Sequence, residues 1–259
     1  MRVSVGDCSL YCEVIGAGPP ILFVHGFPLA GELWHETAGR LSGWRAIMPD
    51  LRGHGRSDVT PTVTIARFTD DLVALLDALG EAQPVVLVGL SMGGVIAFDF
   101  FRRHRSRLRA LVLVGARPTP EPPEGKARRE ALAQAVLRDG SVVAADSMVP
   151  LLFGSAASPE LRQHWHDVIA RTPPAGVAAA ARALADREDS VPTLPQIDCP
   201  TLIVFGEEDT ITPVEVARQM HAAIRGSRLA IIPDAGHLPP IEQPDRFADT
   251  LREFLAGLA

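Results

Sequence analysis

Short apolar runs that alternate with amphipathic helical patterns constrain this chain more than any other feature. Runs rich in Val, Leu and Ile recur at residues 20–24, 45–48, 84–88, 108–114, 201–205 and 228–232. Most are apolar at every position rather than every second one, as strands buried on both faces require. Between them lie helix-like patterns. In the clearest, Ile65, Phe68, Leu72, Leu75, Leu76 and Leu79 form one apolar stripe that Gly80 ends. This order predicts an α/β fold, a mostly parallel sheet flanked by helices, with reactive residues on loops at the carboxyl ends of strands. Segments 2–5 and 10–14 alternate instead and are separated by a turn with Gly6 and Asp7, the pattern of an antiparallel edge hairpin.

The alternation breaks after Val114, where Arg117-Pro-Thr-Pro-Glu-Pro-Pro opens a stretch with several helical patterns and no good strand. Prolines fix φ and remove donors, so the segment leaves the sheet stiffly. Bracketed by two core strands, residues 117–195 are expected to form a helical insertion over a core made of residues 1–116 and 196–259. Its apolar side chains pack its own helices. Met148, Leu152 and Trp165, with Leu238 near the carboxyl terminus, are the candidates for also lining a substrate pocket.

Composition excludes several classes of function. At 259 residues the chain can bury one sizeable core. With 25 Lys+Arg against 31 Asp+Glu, a net charge of -6 and no basic run, it has little with which to neutralise phosphates or anionic lipid. Neither a nucleic acid nor a membrane is an expected partner. Cys8, Cys12 and Cys199 lie far from any metal-ligand or disulfide spacing, so reduced buried thiols are expected, with no metal. The first residues lack the regions of a signal peptide, and no apolar run reaches the ~18 residues of a membrane span. A cytoplasmic protein is expected, and its oligomeric state, monomer or dimer, stays open.

The chemistry begins at Gly89-Leu-Ser-Met-Gly-Gly, which follows an apolar strand and precedes a helical pattern through Val95, Ile96, Phe98 and Phe101. This is G-x-S-x-G in a strand, tight turn, helix context, where the small residues let Ser91 stand exposed on a strained turn as a nucleophile. The helix that follows turns its positive end toward an oxyanion formed there. A serine hydroxyl is weak at neutral pH, so a base and an orienting acid are required. Of eight histidines, His237 follows the final core strand on a loop. His25 and His54 also lie on loops but read as structural, while His35, His104, His164, His166 and His221 fall in helical patterns. The acid is sought after strand 201–205, where Glu207, Glu208 and Asp209 all stand between Ser91 and His237. Oxyanion donors, worth ~3 kcal/mol each in a dry site, are expected from the backbone N–H of Met92 and of Phe27, since Pro28 has none.

In order, HGFP, DLRGHGRSD, GLSMGG, GEEDTITP and GHLPPIEQP resemble the α/β-hydrolase superfamily over essentially the whole chain. Within it the chain is most similar to small carboxylesterases and 3-oxoadipate enol-lactonases. The resemblance implies an α/β-hydrolase fold in which residues 117–195 form the helical cap. It implies a catalytic triad of Ser91, Asp209 and His237, and an oxyanion hole from Phe27 and Met92, with no cofactor. Haloalkane dehalogenases and epoxide hydrolases carry Asp where Ser91 stands, so alkyl-enzyme chemistry is not expected. The expected function is hydrolysis of carboxylic esters, small molecules with short acyl chains. One alternative is enol-lactone hydrolysis, whose dianionic substrate would need Arg117, Arg128 or Arg129. Hydrolysis of carbon to carbon bonds and perhydrolysis share the triad, and a small-molecule receptor with an idle triad is the alternative from another class.

Overall fold

The computed structural model describes residues 1–258. Eight strands form one sheet: β1 (Arg2–Ser4), β2 (Ser9–Gly16), β3 (Pro20–Val24), β4 (Arg45–Pro49), β5 (Val85–Leu90), β6 (Leu108–Val114), β7 (Thr201–Gly206) and β8 (Arg228–Ile232). Their spatial order is β1-β2-β4-β3-β5-β6-β7-β8. The β1 and β2 hairpin is antiparallel and closes one edge, and β3 to β8 run parallel. Strands β3, β5 and β7 are buried along their whole length and β6 at every residue but Arg109, which is why their sequences do not alternate.

Register decides where the loops emerge. Val24 pairs with Gly89, Leu90 with Val114, Val114 with Val204 and Gly206 with Ile232, so five adjacent strands end at one rim. Side chains on the loops after β3, β5, β6, β7 and β8 can therefore converge although their sequence positions are far apart.

Helices α1 (His35–Gly39), α2 (Ile65–Ala78) and α3 (Met92–His104) belong to the first half of the sheet. Helix α2 starts at Thr64, whose hydroxyl accepts from the Arg67 N–H at 3.0 Å, and ends where Gly80 adopts φ 72°. Its apolar stripe, Ile65, Phe68, Leu72, Leu75 and Leu76, is buried, and the helix packs on α3. Four helices separate β6 from β7: α4 (Pro123–Asp139), α5 (Val142–Leu152), α6 (Pro159–Arg171) and α7 (Pro174–Ala185). Three of them open with proline in the first turn, where a missing N–H costs nothing. Helix α4 lies along α7 and α5 along α6. Helices α8 (Val214–Ala223), α9 (Pro239–Glu242) and α10 (Pro244–Ala256) complete the chain, and α10 packs against α1. No described helix is long and apolar enough to cross a membrane.

The inserted helices rest on the core through a backbone contact. A β-carbon at Gly176, in the first turn of α7, would lie 1.8 Å from the Gly53 carbonyl oxygen on the loop after β4. Only glycine permits that approach. Gly176→Ala is expected to lower stability by about 1–3 kcal/mol, read from urea midpoints at constant slope. Gly39→Ala, where a β-carbon meets nothing within 4 Å, is the control and should change stability by less than about 0.5 kcal/mol.

Candidate active site

Ser91 caps the amino end of α3 with φ 54° and ψ -107°, a region that residues with a β-carbon avoid. Close backbone packing enforces it. A β-carbon at Gly89 would lie 2.3 Å from the Gly93 carbonyl oxygen, and one at Gly93 would lie 2.2 Å from the Val24 carbonyl oxygen at the end of β3. The Ser91 N–H donates to the Val114 carbonyl at 2.8 Å, which ties the turn to the end of β6. The Ser91 hydroxyl makes no capping bond to its helix. It borders a cavity of ≈ 90 Å³.

His237 and Asp209 meet at the same rim. The His237 Nδ1–H donates to Asp209 Oδ2 at 2.7 Å, both side chains being almost completely buried. The other Asp209 oxygen accepts from the N–H groups of Ile211 at 2.9 Å and Thr212 at 2.8 Å. Of the three carboxylates on this loop, Asp209 alone reaches the imidazole. Glu207 is exposed, and Glu208 turns away to accept from the N–H and hydroxyl of Ser155, bonds that hold its carboxyl below the ordinary range. Gly115, next after Val114, joins the two halves of the site. A β-carbon there would sit 3.0 Å from His237 Cε1 and 3.4 Å from Asp209 Oδ2, and Gly115 borders the cavity that Ser91 borders. No direct hydrogen bond links the Ser91 hydroxyl to the ring among the described residues, a looseness common before substrate binds.

The sequence pattern did not single out Glu242, yet it holds the His237 loop. Its carboxylate accepts from the N–H groups of Gly236 at 2.9 Å, Leu238 at 3.0 Å and Gly154 at 2.7 Å. The His237 N–H itself donates to the Leu152 carbonyl at 2.8 Å. The three consecutive amides of Gly236, His237 and Leu238 are thus fixed, two by one side chain. Burial pushes the Glu242 carboxyl above its usual range despite these donors. The only local signal was an acid placed after Pro239-Pro240, which force a short helical turn.

Phe27 and Met92 are both buried, and among the described residues no protein acceptor takes either backbone N–H. Met92 lines the cavity with Ser91, and Phe27 follows Gly26, where a β-carbon would lie 3.3 Å from Ser91 Cβ. The cavity has an apolar side formed by Val95, Leu184 and Ile211. Met148, Leu152, Trp165 and Leu238 do not line it. Leu152, Trp165 and Leu238 are core residues, and Met148 packs against that core. Of the insertion's apolar side chains Leu184 of α7 lines the cavity, which draws the rest of its apolar wall from α3 and the loop after β7.

His25 and His54 are fully buried and bonded to backbone. His25 Nδ1 contacts the Gly26 carbonyl at 2.8 Å while its Nε2 accepts from the Leu51 N–H at 2.9 Å. His54 Nδ1 meets the Arg52 carbonyl at 3.0 Å. Burial pushes His25 down to about 4; burial and the neighbouring His25 push His54 down to about 3. The three cysteines are free and buried, and burial pushes the Cys8 and Cys12 thiols up to about 11 and about 12. Asp7, Cys8 and Asp71 lie close enough together to hold a metal, but the guanidinium groups of Arg52 and Arg67 already occupy both carboxylates.

Comparison with known proteins accords with this geometry. The family model for the alpha/beta hydrolase fold matches residues 19–244. A thermophilic esterase from Thermogutta terrifontis, solved with malate bound, is 40% identical with a TM-score of 0.96, over 100% of this chain and 98% of that one. The enol-lactonase from Burkholderia xenovorans LB400 is 27% identical with a TM-score of 0.91, over 99% of this chain and 100% of that one. The pimeloyl-(acyl-carrier protein) methyl ester esterase of Chromobacterium violaceum is 29% identical over 95% of this chain and 98% of its own.

Two measurements follow from the buried polar groups. Unfolded histidines bind protons below about 6.5 while His25 and His54 in the fold do not until about 4 and about 3. The unfolded chain therefore binds more protons in this window, so stability is full above about 6.5 and falls as pH drops, by up to ~1.4 kcal/mol per pH unit per histidine. Urea unfolding at pH 7.5, 6 and 5 checks this, and a flat profile would contradict it. Glu242→Ala leaves three buried N–H groups unpaired and should cost about 3 kcal/mol or more. Glu242→Gln, which keeps an acceptor, should recover part of that loss in the same assay.

Proposed function

Because the chain belongs to the alpha/beta hydrolase family and is a hydrolase related to esterases, we propose that it is a carboxylesterase working through Ser91, Asp209 and His237. The observation that carries the reading is the 2.7 Å bond between His237 Nδ1 and Asp209 Oδ2 at the rim where Ser91 stands on its strained turn. That bond fixes the tautomer, leaving Nε2 as the basic nitrogen, and the buried carboxylate stabilises the imidazolium that forms.

Ser91 Oγ attacks the ester carbonyl as His237 Nε2 takes its proton. The N–H groups of Phe27 and Met92 receive the negative charge of the tetrahedral oxygen. The carbon to alkoxy bond then breaks, and the imidazolium returns the proton to the leaving alcohol, which gives an acyl-Ser91 ester. Water attacks that ester with the same nitrogen as base, the carbon to Oγ bond breaks, and Ser91 recovers its proton. One ester and one water yield one acid and one alcohol, without an added cofactor. Residues 117–195 act as a cap over this chemistry. A cavity of ≈ 90 Å³ is well below the ~300–1,000 Å³ of common ligand pockets, which favours short acyl chains.

Hydrolysis of nitrophenyl esters from acetate to decanoate tests the reading. Wild type should release nitrophenol with kcat/KM falling beyond about four acyl carbons, in keeping with the small cavity. Ser91→Ala should lower kcat by about 10⁴-fold or more while unfolding with the same slope in urea. Undiminished turnover in that variant would remove Ser91 from the mechanism, and a rise toward decanoate would remove the short-chain preference.

A further inference from the structure

The cavity beside Ser91 has a charged lining. Arg117 leaves the end of β6, Arg129 projects from α4 and Arg187 follows α7, and all three line the cavity with Ser91 and Met92. Glu121 is the one carboxylate among the lining residues, and it bonds both Arg129 and Arg187. Three guanidinium groups against one carboxylate leave two positive charges uncompensated in a small, half-enclosed space.

The donors are not all used within the protein. Arg187 is held structurally, with bonds to the Thr119 carbonyl at 2.9 Å and the Leu184 carbonyl at 3.1 Å. Arg129 donates to Glu121 through Nε, and among the described residues neither of its terminal nitrogens has a partner. Arg117 donates one terminal nitrogen to the Ile211 carbonyl, which leaves its other terminal nitrogen and Nε without one. Burial works against the charge on Arg129 and outweighs the help from Glu121, so its guanidinium is pushed below its ordinary value. Glu121 also resists charge through burial, but Arg129 and Arg187 together hold its carboxyl below the usual range. The free guanidinium N–H groups of Arg117 and Arg129 are half-buried and remain open to an entering anion. Arg128, next in sequence, is exposed and does not line the cavity.

We propose that this cavity is a carboxylate subsite, and that the ester hydrolysed carries a second, free carboxylate on its acid half, a few bonds from the scissile carbonyl. The proposal rests on the esterase reading for the identity of the reacting bond. The lining residues supply what such a substrate needs: the Met92 N–H for the scissile carbonyl, an apolar wall for two or three methylene groups, and free guanidinium N–H groups of Arg117 and Arg129 that donate to the carboxylate. Placement on the acid half follows from the two-step reaction. The acid half stays on Ser91 through acylation and deacylation, so an anchor there holds in both transition states, whereas an anchor on the alcohol is lost with the leaving group.

The test compares monomethyl succinate with methyl succinamate, which has the same shape and no charge, in wild type, Arg117→Gln and Arg129→Gln. Wild type should favour the anion by about tenfold or more in kcat/KM, and the ratio should fall by about tenfold in each variant. A wild-type ratio of one or less, or a ratio unaltered in both variants, overturns the subsite. A binding measurement stands apart from turnover. Succinate should raise the Tm of Ser91→Ala above that seen with sodium chloride at equal ionic strength, and the shift should vanish when Arg129→Gln is added. No succinate shift overturns the subsite. A succinate shift that depends on Arg129, with neither ester hydrolysed, retains the anion site and overturns the esterase reading instead.

Discussion

Ser91 holds a backbone conformation that costs about 1–3 kcal/mol, and three strands are arranged so that it cannot relax. The end of β3 presses on Gly93, the turn folds Gly89 against Gly93, and β6 accepts the Ser91 N–H. The strain is local, but its support comes from the middle of the sheet, where β3 and β5 are buried throughout and β6 at all but one residue. A residue in a sparsely populated conformation persists only where its neighbours over-determine it. The parallel register that aligns the strand ends supplies those neighbours and also brings Asp209 and His237 to the same rim.

Much of this was legible before any coordinates. Strands buried on both faces lose alternation, so 84–88, 108–114 and 201–205 stood out as runs, and each lies within or overlaps a central strand. The α2 stripe and its glycine stop were equally plain, because helix periodicity and termination are local properties. The turn at Ser91 carried its own signal in the glycines that flank it, since only a close approach makes both of them necessary.

Contacts between distant segments were harder to read. Spacing alone left Glu207, Glu208 and Asp209 as rivals, because adjacent side chains on a loop point in directions that the loop's own bonds decide. Here Asp209 anchors one oxygen to the amides of Ile211 and Thr212 and so aims the other at the ring, while Glu208 finds Ser155. Glu242 was hidden for the same reason, since one of its three donors lies 88 residues away. The apolar residues of the insertion were ambiguous in a different way. A side chain that lines a pocket and one that fills a core have the same hydrophobicity, and nothing in Met148, Leu152 or Trp165 distinguishes the two. Arginines gave a sharper signal but an incomplete one. Of Arg117, Arg128 and Arg129, which the sequence offered together, Arg128 does not line the cavity, whereas Arg187, which it did not offer, does.

Glu242 has one further consequence. Its carboxylate grips both neighbours of His237 and, in the same pair of oxygens, the amide of Gly154 just past α5. The end of α5 and the loop bearing the imidazole therefore share one anchor. Displacing the carboxyl end of α5 would then tug on the amides either side of the imidazole, along a path that bypasses Ser91.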